Sequence, residues 1–528
     1  MTPADLARRW LAAEPDDDMR AEIVDLLEGP AEVLAARFTG RLQFGTAGLR
    51  AAVGAGPQRM NRLVVRQAAA GLVDHLLATV PDAASRGVVI GFDVRRKSDT
   101  FALDTARVCA ARGVRALLFD APVPTPLLAT SITSTGAAAG VMVTASHNPP
   151  ADNGYKVYLG TGAQIVPPAD VDIAACIDVV DPCDVALADP GHPLITTVGP
   201  PERATYLDAV AHLRLRPDVP GVPTAYTALH GVGGDLLLAA FAAAGLPPPV
   251  VVTAQHTPDG TFPTVDFPNP EEPGAMDLLL EVAAASGAVL ALANDPDADR
   301  LGAAIPTRDG GWRRLGGDEI GWLLAEHVLR HTSGDDRLVV TTLVSSSMLG
   351  RIAADHGVTC LETFTGFKWI AHTALSHPEL RFVFGYEQAL GYLVTDRPLD
   401  KDGITAAVML GEVAAVAAAE GCTLQDRLDA LAARHGRHVM VERSLRMDPV
   451  AARAAVDRLR ADPPDHLDGL AVTTVEWFDE AGLLRLQCGD RVRLQVRPSG
   501  TEPKVKLYAE GIDEDPGPLV DLLAARLT

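Results

Sequence analysis

Short apolar, β-branched runs alternate with Ala/Leu-rich stretches of helical length along most of the chain. Val88 to Phe92 reads as a strand covered on both faces, because a continuous apolar run of that length leaves no face for water. Ser98 to Ala111 follows as a helix, with further short strands at Ala116 to Phe119 and Gly140 to Thr144. The cycle restarts near Thr224 with helix Gly234 to Ala244, strand Val250 to Val252, helix Met276 to Ala285 and strand Val289 to Ala293. It recurs after Asp318, with a helix to Arg330, strand Leu338 to Leu343, helix Ser346 to His356 and strand Arg381 to Phe384. Such alternation predicts βαβ units and mostly parallel sheets with helices on both faces. The last hundred residues change pattern. Val472 to Trp477, Leu483 to Gln487, Val492 to Val496 and Val505 to Ala509 predict antiparallel strands of an α+β domain.

Three cycles and a different C-terminal segment fit a chain of 528 residues, long enough for three or four domains. We expect domains at 1–203, 204–315, 316–430 and 431–528, with seams at the Pro/Gly-rich stretches 181–202 and 306–317 and at 421–440. Hydrophobic residues make up 48% of the chain, which excludes disorder as the dominant state. Net charge is −22, which argues against general nucleic-acid or anionic-membrane binding. An anionic ligand would therefore need a local concentration of Arg, Lys and backbone N–H groups. The six cysteines form no C-x-x-C pair, so reduced thiols are expected. The N-terminus carries the acidic run Asp16-Asp17-Asp18 in place of an apolar signal core, and no stretch reaches the roughly 20 apolar residues of a membrane span. A cytoplasmic protein is the expectation.

Ligands of open α/β sheets lie beyond the carboxyl ends of the strands, and unusual polar loops follow the predicted strands here. Thr144-Ala145-Ser146-His147-Asn148-Pro149 places a serine and a histidine at a strand end, where Ser146 could be an exposed nucleophile and His147 could orient it or move its proton. No G-x-S-x-G elbow is present, which argues against a hydrolase-type serine. Asn294-Asp295-Pro296-Asp297-Ala298-Asp299-Arg300 sets three carboxylates at i, i+2 and i+4, a spacing that can converge on one hard cation such as Mg²⁺ or Ca²⁺. It is no EF-hand, since Arg300 stands at position 6 and Pro306 at position 12. Gly385-Tyr386-Glu387-Gln388-Ala389-Leu390-Gly391 offers acceptors and donors for sugar hydroxyls through Glu387 and Gln388. Arg497-Pro498-Ser499-Gly500-Thr501-Glu502-Pro503-Lys504 has the makings of a phosphate cradle, though not of a Walker A loop. Each loop alone could be an ordinary turn. Together they form an apparatus for phosphoryl transfer on a sugar.

These loops, in this order, resemble those of the α-D-phosphohexomutase family of phosphoglucomutases and phosphomannomutases. Phe44-Gly45-Thr46-Ala47-Gly48-Leu49-Arg50 and Gly91-Phe92-Asp93-Val94-Arg95 resemble two further family motifs. The resemblance implies three similar mixed α/β domains and a smaller α+β C-terminal domain, heart-shaped around a central cleft. It implies that Ser146 carries a phosphoryl group, and that Asp295, Asp297 and Asp299 bind Mg²⁺ together with an oxygen of that phosphoserine. Arg50 and Arg300 would lie beside the phosphoryl group, and Lys156, in Asn153-Gly154-Tyr155-Lys156, would move protons with His147 if neighbouring cations lower its pKa. Thr365, Gly366, Lys368 and Lys401 would contact the sugar with Glu387 and Gln388. Arg497, Ser499, Gly500 and Thr501 would hold the phosphate that is not reacting.

The implied activity is that of an intramolecular phosphotransferase moving a phosphoryl group between C1 and C6 of a hexose phosphate through a bound 1,6-bisphosphate. Glucose 1,6-bisphosphate, or an analogous sugar bisphosphate, would be the activator, and the protein a monomer or homodimer. Pro296 replaces a frequent glycine, and G-Y-E-Q-A-L-G lacks the serine that often follows the glutamate by two positions. The latter resembles phosphopentomutase-type and hexose-bisphosphate-synthesising relatives, so ribose or deoxyribose 1-phosphate and bisphosphate synthesis stand as alternatives. A non-catalytic sugar-phosphate binder is the reading outside this class, and it would need neither Ser146 nor the three aspartates. A metal-dependent phosphatase is the other rival.

Overall fold

Strand Val88–Phe92 is buried at all five positions, and it pairs in parallel with Ala116–Phe119 on one side and Ala139–Val143 on the other. The computed structural model describes residues 1–499 and 503–527. They form two compact units, the first of residues 1–316, 382–384 and 390–419, the second of residues 317–381, 385–389 and 420–528.

The first unit holds two sheets built on one plan. In the six-stranded sheet the order is Leu49–Ala52, Asp152–Leu159, Ala139–Val143, Val88–Phe92, Ala116–Phe119 and Ile195–Val198. The first two pairings are antiparallel and the other three parallel. In the five-stranded sheet the order is Trp312–Arg314, Leu301–Pro306, Leu290–Asn294, Thr224–Thr227 and Val250–Val251, again with two antiparallel pairings followed by parallel ones. In both sheets the chain leaves the last parallel strand, makes a polar loop and returns antiparallel beside it. Residues 144–151 and 295–300 are those two loops. The polar residues therefore sit at the carboxyl ends of buried strands, where helix packing holds the strands and the loop is free to carry chemistry.

Three helices precede the first strand, Pro3–Ala13, Asp17–Glu28 and Ala31–Phe38. In sequence this stretch stands out only for its acidic run, Asp16-Asp17-Asp18. Thr2 caps the first helix by accepting from the Asp5 N–H, and Trp10 meets Phe38 edge to face at 6.0 Å.

In the second unit, parallel strands Arg337–Thr342 and Thr359–Thr363 pack with helices Gly317–His331, Met348–Asp355 and Phe367–Ser376. A six-stranded sheet follows in the order His438–Arg446, Lys504–Ile512, Val492–Pro498, Leu483–Cys488, Leu470–Phe478 and His466–Leu467, antiparallel throughout. Helices Pro449–Ala461 and Gly517–Ala525 contribute to its core. Three mixed α/β segments and an antiparallel C-terminal domain are the predicted fold class. Among the described residues no single helix is long and apolar enough to cross a membrane.

Candidate active site

Ser146 is the third residue beyond the Ala139–Val143 strand, and it stands at φ 51°, in the left-handed region that a side chain with Cβ adopts only at a cost. Thr144 Oγ1 accepts its backbone N–H at 2.9 Å, which fixes the turn. The serine is buried, and its Oγ donates to Asp295 Oδ2 at 2.8 Å. His147 Nδ1 lies 3.3 Å from the same Oγ. Burial, helped by Arg300 and Arg50, holds the His147 imidazole well below its ordinary pKa, so the ring is neutral at pH 7.

The second loop folds its three carboxylates inward. Asp295, Asp297 and Asp299 are fully buried, and one oxygen of each lies within 4.8 Å of the others. Asn294 closes the loop on itself, donating to the Arg300 carbonyl at 2.6 Å and accepting from the Tyr226 hydroxyl at 3.0 Å. Ala298 takes φ 55° at the turn. Three buried like charges require cations, and lysines supply them. Lys156 Nζ lies 2.7 Å from Asp297 Oδ2 and 2.9 Å from Asp299 Oδ2, and Lys401 Nζ reaches Asp299 Oδ2 at 2.9 Å.

The acids divide accordingly. Burial raises Asp295, and the charges of Asp297 and Asp299 raise it further, well above the ordinary carboxylate range. Burial acts the same way on Asp299, but Lys156, Lys401 and Arg300 outweigh it and hold that carboxylate below its usual value. Burial and Asp299 also push Asp297 upward, but Lys156 and Lys401 prevail and its net direction is down. Lys156 corrects one expectation. Burial does lower its ammonium, and Lys401 and Arg50 add to this, but Asp297 and Asp299 pull harder and the net direction is upward.

Asp297 Oδ1 and Asp299 Oδ1 are buried with no hydrogen-bond partner among the described residues. Orphaned anionic oxygens beside a third carboxylate and a serine hydroxyl form an all-oxygen donor set that suits a hard divalent cation, so these residues fit Mg²⁺.

Arg50 and Arg300 join this group. Strand Leu49–Ala52 pairs with the strand that carries Lys156, and Arg50 Nη1 donates to Asn148 Oδ1 at 3.1 Å. The Arg300 backbone N–H donates to Asp295 Oδ1 at 3.1 Å, and its guanidinium lies 3.5 Å from Glu271. The first unit thus brings together Arg50, Ser146, His147, Lys156, Asp295, Asp297, Asp299, Arg300 and Lys401. Lys401, predicted as a sugar contact, stands on the acid cluster.

The remaining predicted residues belong to the second unit. Glu387 is buried and is the last residue of strand Arg381–Glu387, so the strand runs three residues beyond its predicted end at Phe384. Gln388 is engaged internally: its Oε1 accepts from Ser345 Oγ at 3.0 Å, and its backbone N–H donates to the same hydroxyl at 3.2 Å. Thr365 and Gly366 precede helix Phe367–Ser376, whose second residue is Lys368, and Gly366 at φ 112° needs to be glycine. Arg497 Nη2 donates to the Tyr508 hydroxyl at 3.2 Å, and the Ser499 N–H to the Lys504 carbonyl at 2.8 Å. Gly500 and Thr501 lie outside the described residues.

Sequence reasoning missed Thr125, at the start of helix Thr125–Thr135, whose Oγ1 donates to Asp297 Oδ2 at 2.8 Å and whose N–H donates to the Asp297 carbonyl at 2.9 Å. Nothing in the run Val123-Pro124-Thr125-Pro126 signals that role, because the partner is 172 positions away.

Comparison with known proteins agrees with this geometry. Residues 41–182, 204–310 and 316–435 match the α/β/α domains I, II and III described as phosphoglucomutase/phosphomannomutase, and residues 447–516 match the C-terminal domain of the same description. The chain belongs to the phosphoglucomutase/phosphomannomutase family. It is a phosphomutase, an isomerase by phosphoryl transfer. A probable phosphomannomutase of Haemophilus influenzae is 41% identical over 87% of this chain and 94% of its own length. A probable phosphoribomutase of Schizosaccharomyces pombe is 36% identical over 96% of this chain and 93% of its own. The crystal structure of a putative phosphomannomutase from Thermus thermophilus superposes with a TM-score of 0.72 at 25% identity, covering 92% of this chain and 98% of that one.

Proposed function

We propose that the protein interconverts the 1- and 6-phosphates of glucose or mannose through a phosphoryl group carried on Ser146. The observation that carries this reading is the 2.8 Å hydrogen bond from Ser146 Oγ to Asp295 within a buried acid triad. A binder of sugar phosphates has no use for a strained serine aimed at three carboxylates.

Phospho-Ser146 gives its phosphoryl group to the free hydroxyl of the sugar monophosphate. The P–Oγ bond breaks as the new P–O bond forms, and the hydroxyl proton passes to a base. The bisphosphate then presents its other phosphate to Ser146, and the same exchange runs in reverse. His147, held neutral, is suited to take the proton, and Lys156, held as an ammonium, to give one back. Arg50 and Arg300 offset charge on the transferring group. Mg²⁺, held by Asp295, Asp297 and Asp299 with an oxygen on Ser146, would supply further positive charge to that group. Glu387 would hold sugar hydroxyls, with Thr365, Gly366 and Lys368, and Arg497 with Ser499 the distal phosphate.

A second reading, a pentose 1-phosphate as substrate, is favoured by the similarity to a probable phosphoribomutase over nearly the whole chain. A coupled assay with glucose 1-phosphate, mannose 1-phosphate and ribose 1-phosphate, Mg²⁺ and catalytic glucose 1,6-bisphosphate separates the two. We expect a hexose to give the highest kcat/KM and Ser146→Ala to remove at least about 10³-fold of it. Preference for ribose 1-phosphate would replace the hexose reading, and activity that survives in Ser146→Ala would overturn the phosphoserine.

A further inference from the structure

The motif Gly91-Phe92-Asp93-Val94-Arg95 takes no part in the chemistry above, yet its arginine is among the most completely enclosed charges in the molecule, with a side chain that is 0% exposed. Its guanidinium lies inside the Ser146 loop. Nη2 donates to the carbonyls of Ser146 at 2.5 Å and Asn148 at 2.6 Å, and Nη1 to those of Pro149 at 2.8 Å and Asp152 at 3.2 Å. Nε lies 3.3 Å from Asp93 Oδ2, an ion-pair contact. Four of the five N–H groups of the planar fork are thus committed to one seven-residue stretch of backbone, and the fifth faces a carboxylate.

The carboxylate beside the guanidinium is itself held, through the Arg95 backbone amide and Ser98, and a ring covers the guanidinium. Asp93 Oδ1 accepts the Arg95 N–H at 2.9 Å and the Ser98 hydroxyl at 2.6 Å, and Asn153, on the strand that carries Lys156, donates to Ser98 Oγ at 2.9 Å. The ring of Phe262 covers the guanidinium carbon at 4.9 Å, brought there by a segment whose Gly260 approaches the Val94 carbonyl so closely that a Cβ would sit 2.2 Å from it.

We propose that Arg95 is a positioning residue for phosphoryl transfer, holding the Ser146 loop in its strained, inward-facing conformation by binding its carbonyls. The physical reason is the conformation at Ser146. A non-glycine residue at φ 51° costs on the order of 1–3 kcal/mol and persists only where its surroundings over-determine it. The loop's own bonds run from the Asn148 N–H to the Ala145 carbonyl and from the Asp152 N–H to the Pro149 carbonyl, both at 3.0 Å, and from the Ser146 N–H to Thr144 Oγ1. They leave the Ser146 and Asn148 carbonyls without a partner inside the loop and do not do this alone. A buried cation that collects four carbonyls can, because among the described residues the Ser146 and Asn148 carbonyls have no other donor, whereas Pro149 already accepts the Asp152 N–H. Lysine cannot replace it: three donors on a point charge do not span four carbonyls in a plane. Displacing a nucleophile by about 1 Å costs roughly 10²-fold in rate, while groups that bind the rest of the substrate are untouched. The inference rests on the reading of Ser146 as the phosphoryl carrier.

The test uses the full chain and ³²P-labelled glucose 1,6-bisphosphate. The rate of label transfer to dephosphorylated protein is measured by rapid quench for the parent, Ser146→Ala, Arg95→Lys and Phe262→Leu. Binding of the same bisphosphate is measured with Ser146→Ala added to each, so that no transfer intervenes. We expect Arg95→Lys to slow transfer about 10²-fold while binding changes less than about threefold. Phe262→Leu, which loosens the cover and removes no polar contact, should slow transfer about three- to tenfold at unchanged binding. Transfer within threefold of the parent in Arg95→Lys, or binding that falls in step with transfer, overturns the proposal. If Arg95→Lys does not fold, Phe262→Leu decides by the same two criteria. A parent that takes no label at Ser146 overturns the phosphoserine reading itself, whereas a labelled parent with unimpaired variants overturns the role of Arg95 alone.

Discussion

Lys156 Nζ stands 2.9 Å from Asp299 Oδ2, and the same oxygen receives Lys401 at the same distance. Two ammonium groups on one buried carboxylate oxygen hold the acid triad together, and Lys156 also serves Asp297. Removing one partner of a buried pair costs about 3–5 kcal/mol, because the remaining charge is left in a poor solvent. Lys156→Met should therefore lower the melting temperature markedly in EDTA. Saturating Mg²⁺, a substitute source of positive charge, should raise the melting temperature of the variant more than that of the parent. Differential scanning calorimetry with and without Mg²⁺ checks this, and an equal Mg²⁺ effect on both proteins would refute it.

Thr125 is not among the residues predicted from sequence, yet its hydroxyl donates to Asp297 Oδ2. Groups that orient a metal-binding carboxylate typically contribute about 10- to 100-fold to affinity or activity when lost. Thr125→Val keeps shape and burial and removes only the donor. We expect the Mg²⁺ concentration for half-maximal activity to rise about tenfold, with the metal-free melting temperature nearly unchanged, measured by Mg²⁺ titration of the mutase assay.

Local periodicity made most strands and helices legible, because buried parallel strands such as Val88–Phe92 are unbroken apolar runs and helix Ser98–Ala111 matches its predicted bounds. The strand Asp152–Leu159 was not legible. It mixes Asp, Asn, Gly and Lys with apolar residues, since it lines the site with one face and the core with the other. Chemistry-bearing residues stood out where they were contiguous, as in the 144–149 and 294–300 loops. Thr125 did not, because its partner lies 172 positions away. The motif that holds Asp93 and Arg95 stood out only by resemblance and without a role, because the carbonyls that Arg95 binds lie 51 to 57 positions further on. The direction of the Lys156 shift was missed for the same reason. Its cationic neighbours were foreseen, but its two direct carboxylate contacts were not.

Gly48 makes a prediction of a different kind. It sits at φ 72° just before Arg50, and a Cβ there would lie 1.9 Å from the Tyr155 carbonyl on the partner strand. No side chain can yield, since the obstacle is backbone. Gly48→Ala must part the strand that carries Arg50 from the strand that carries Lys156. We expect a loss of stability above about 2 kcal/mol and at least a roughly 10²-fold fall in kcat, read by chemical denaturation and by the mutase assay. Retention of parental kcat would show that the Arg50–Lys156 register is not needed.

Asp318 links pH to the stability of the second unit. It is buried at the start of helix Gly317–His331, where Oδ1 accepts the Ser346 N–H at 2.7 Å and the Tyr386 hydroxyl at 2.8 Å. Burial pushes its pKa up to about 6 from 3.8, against the pull of these two donors. A carboxyl whose folded-state value is raised binds its proton more tightly folded than unfolded. Its penalty is absent below about pH 4, grows between about pH 4 and 6, and is full above about pH 6. Asp318→Asn keeps an oxygen for both donors and cannot ionise, so it removes that penalty. We expect the variant to match the parent near pH 4 and to exceed it by on the order of 2 kcal/mol at pH 8. Urea denaturation at both pH values measures the difference. A variant no more stable than the parent at pH 8 would mean that Asp318 is held ionised by Arg493 at no cost, and that the Ser346 and Tyr386 bonds offset its burial completely.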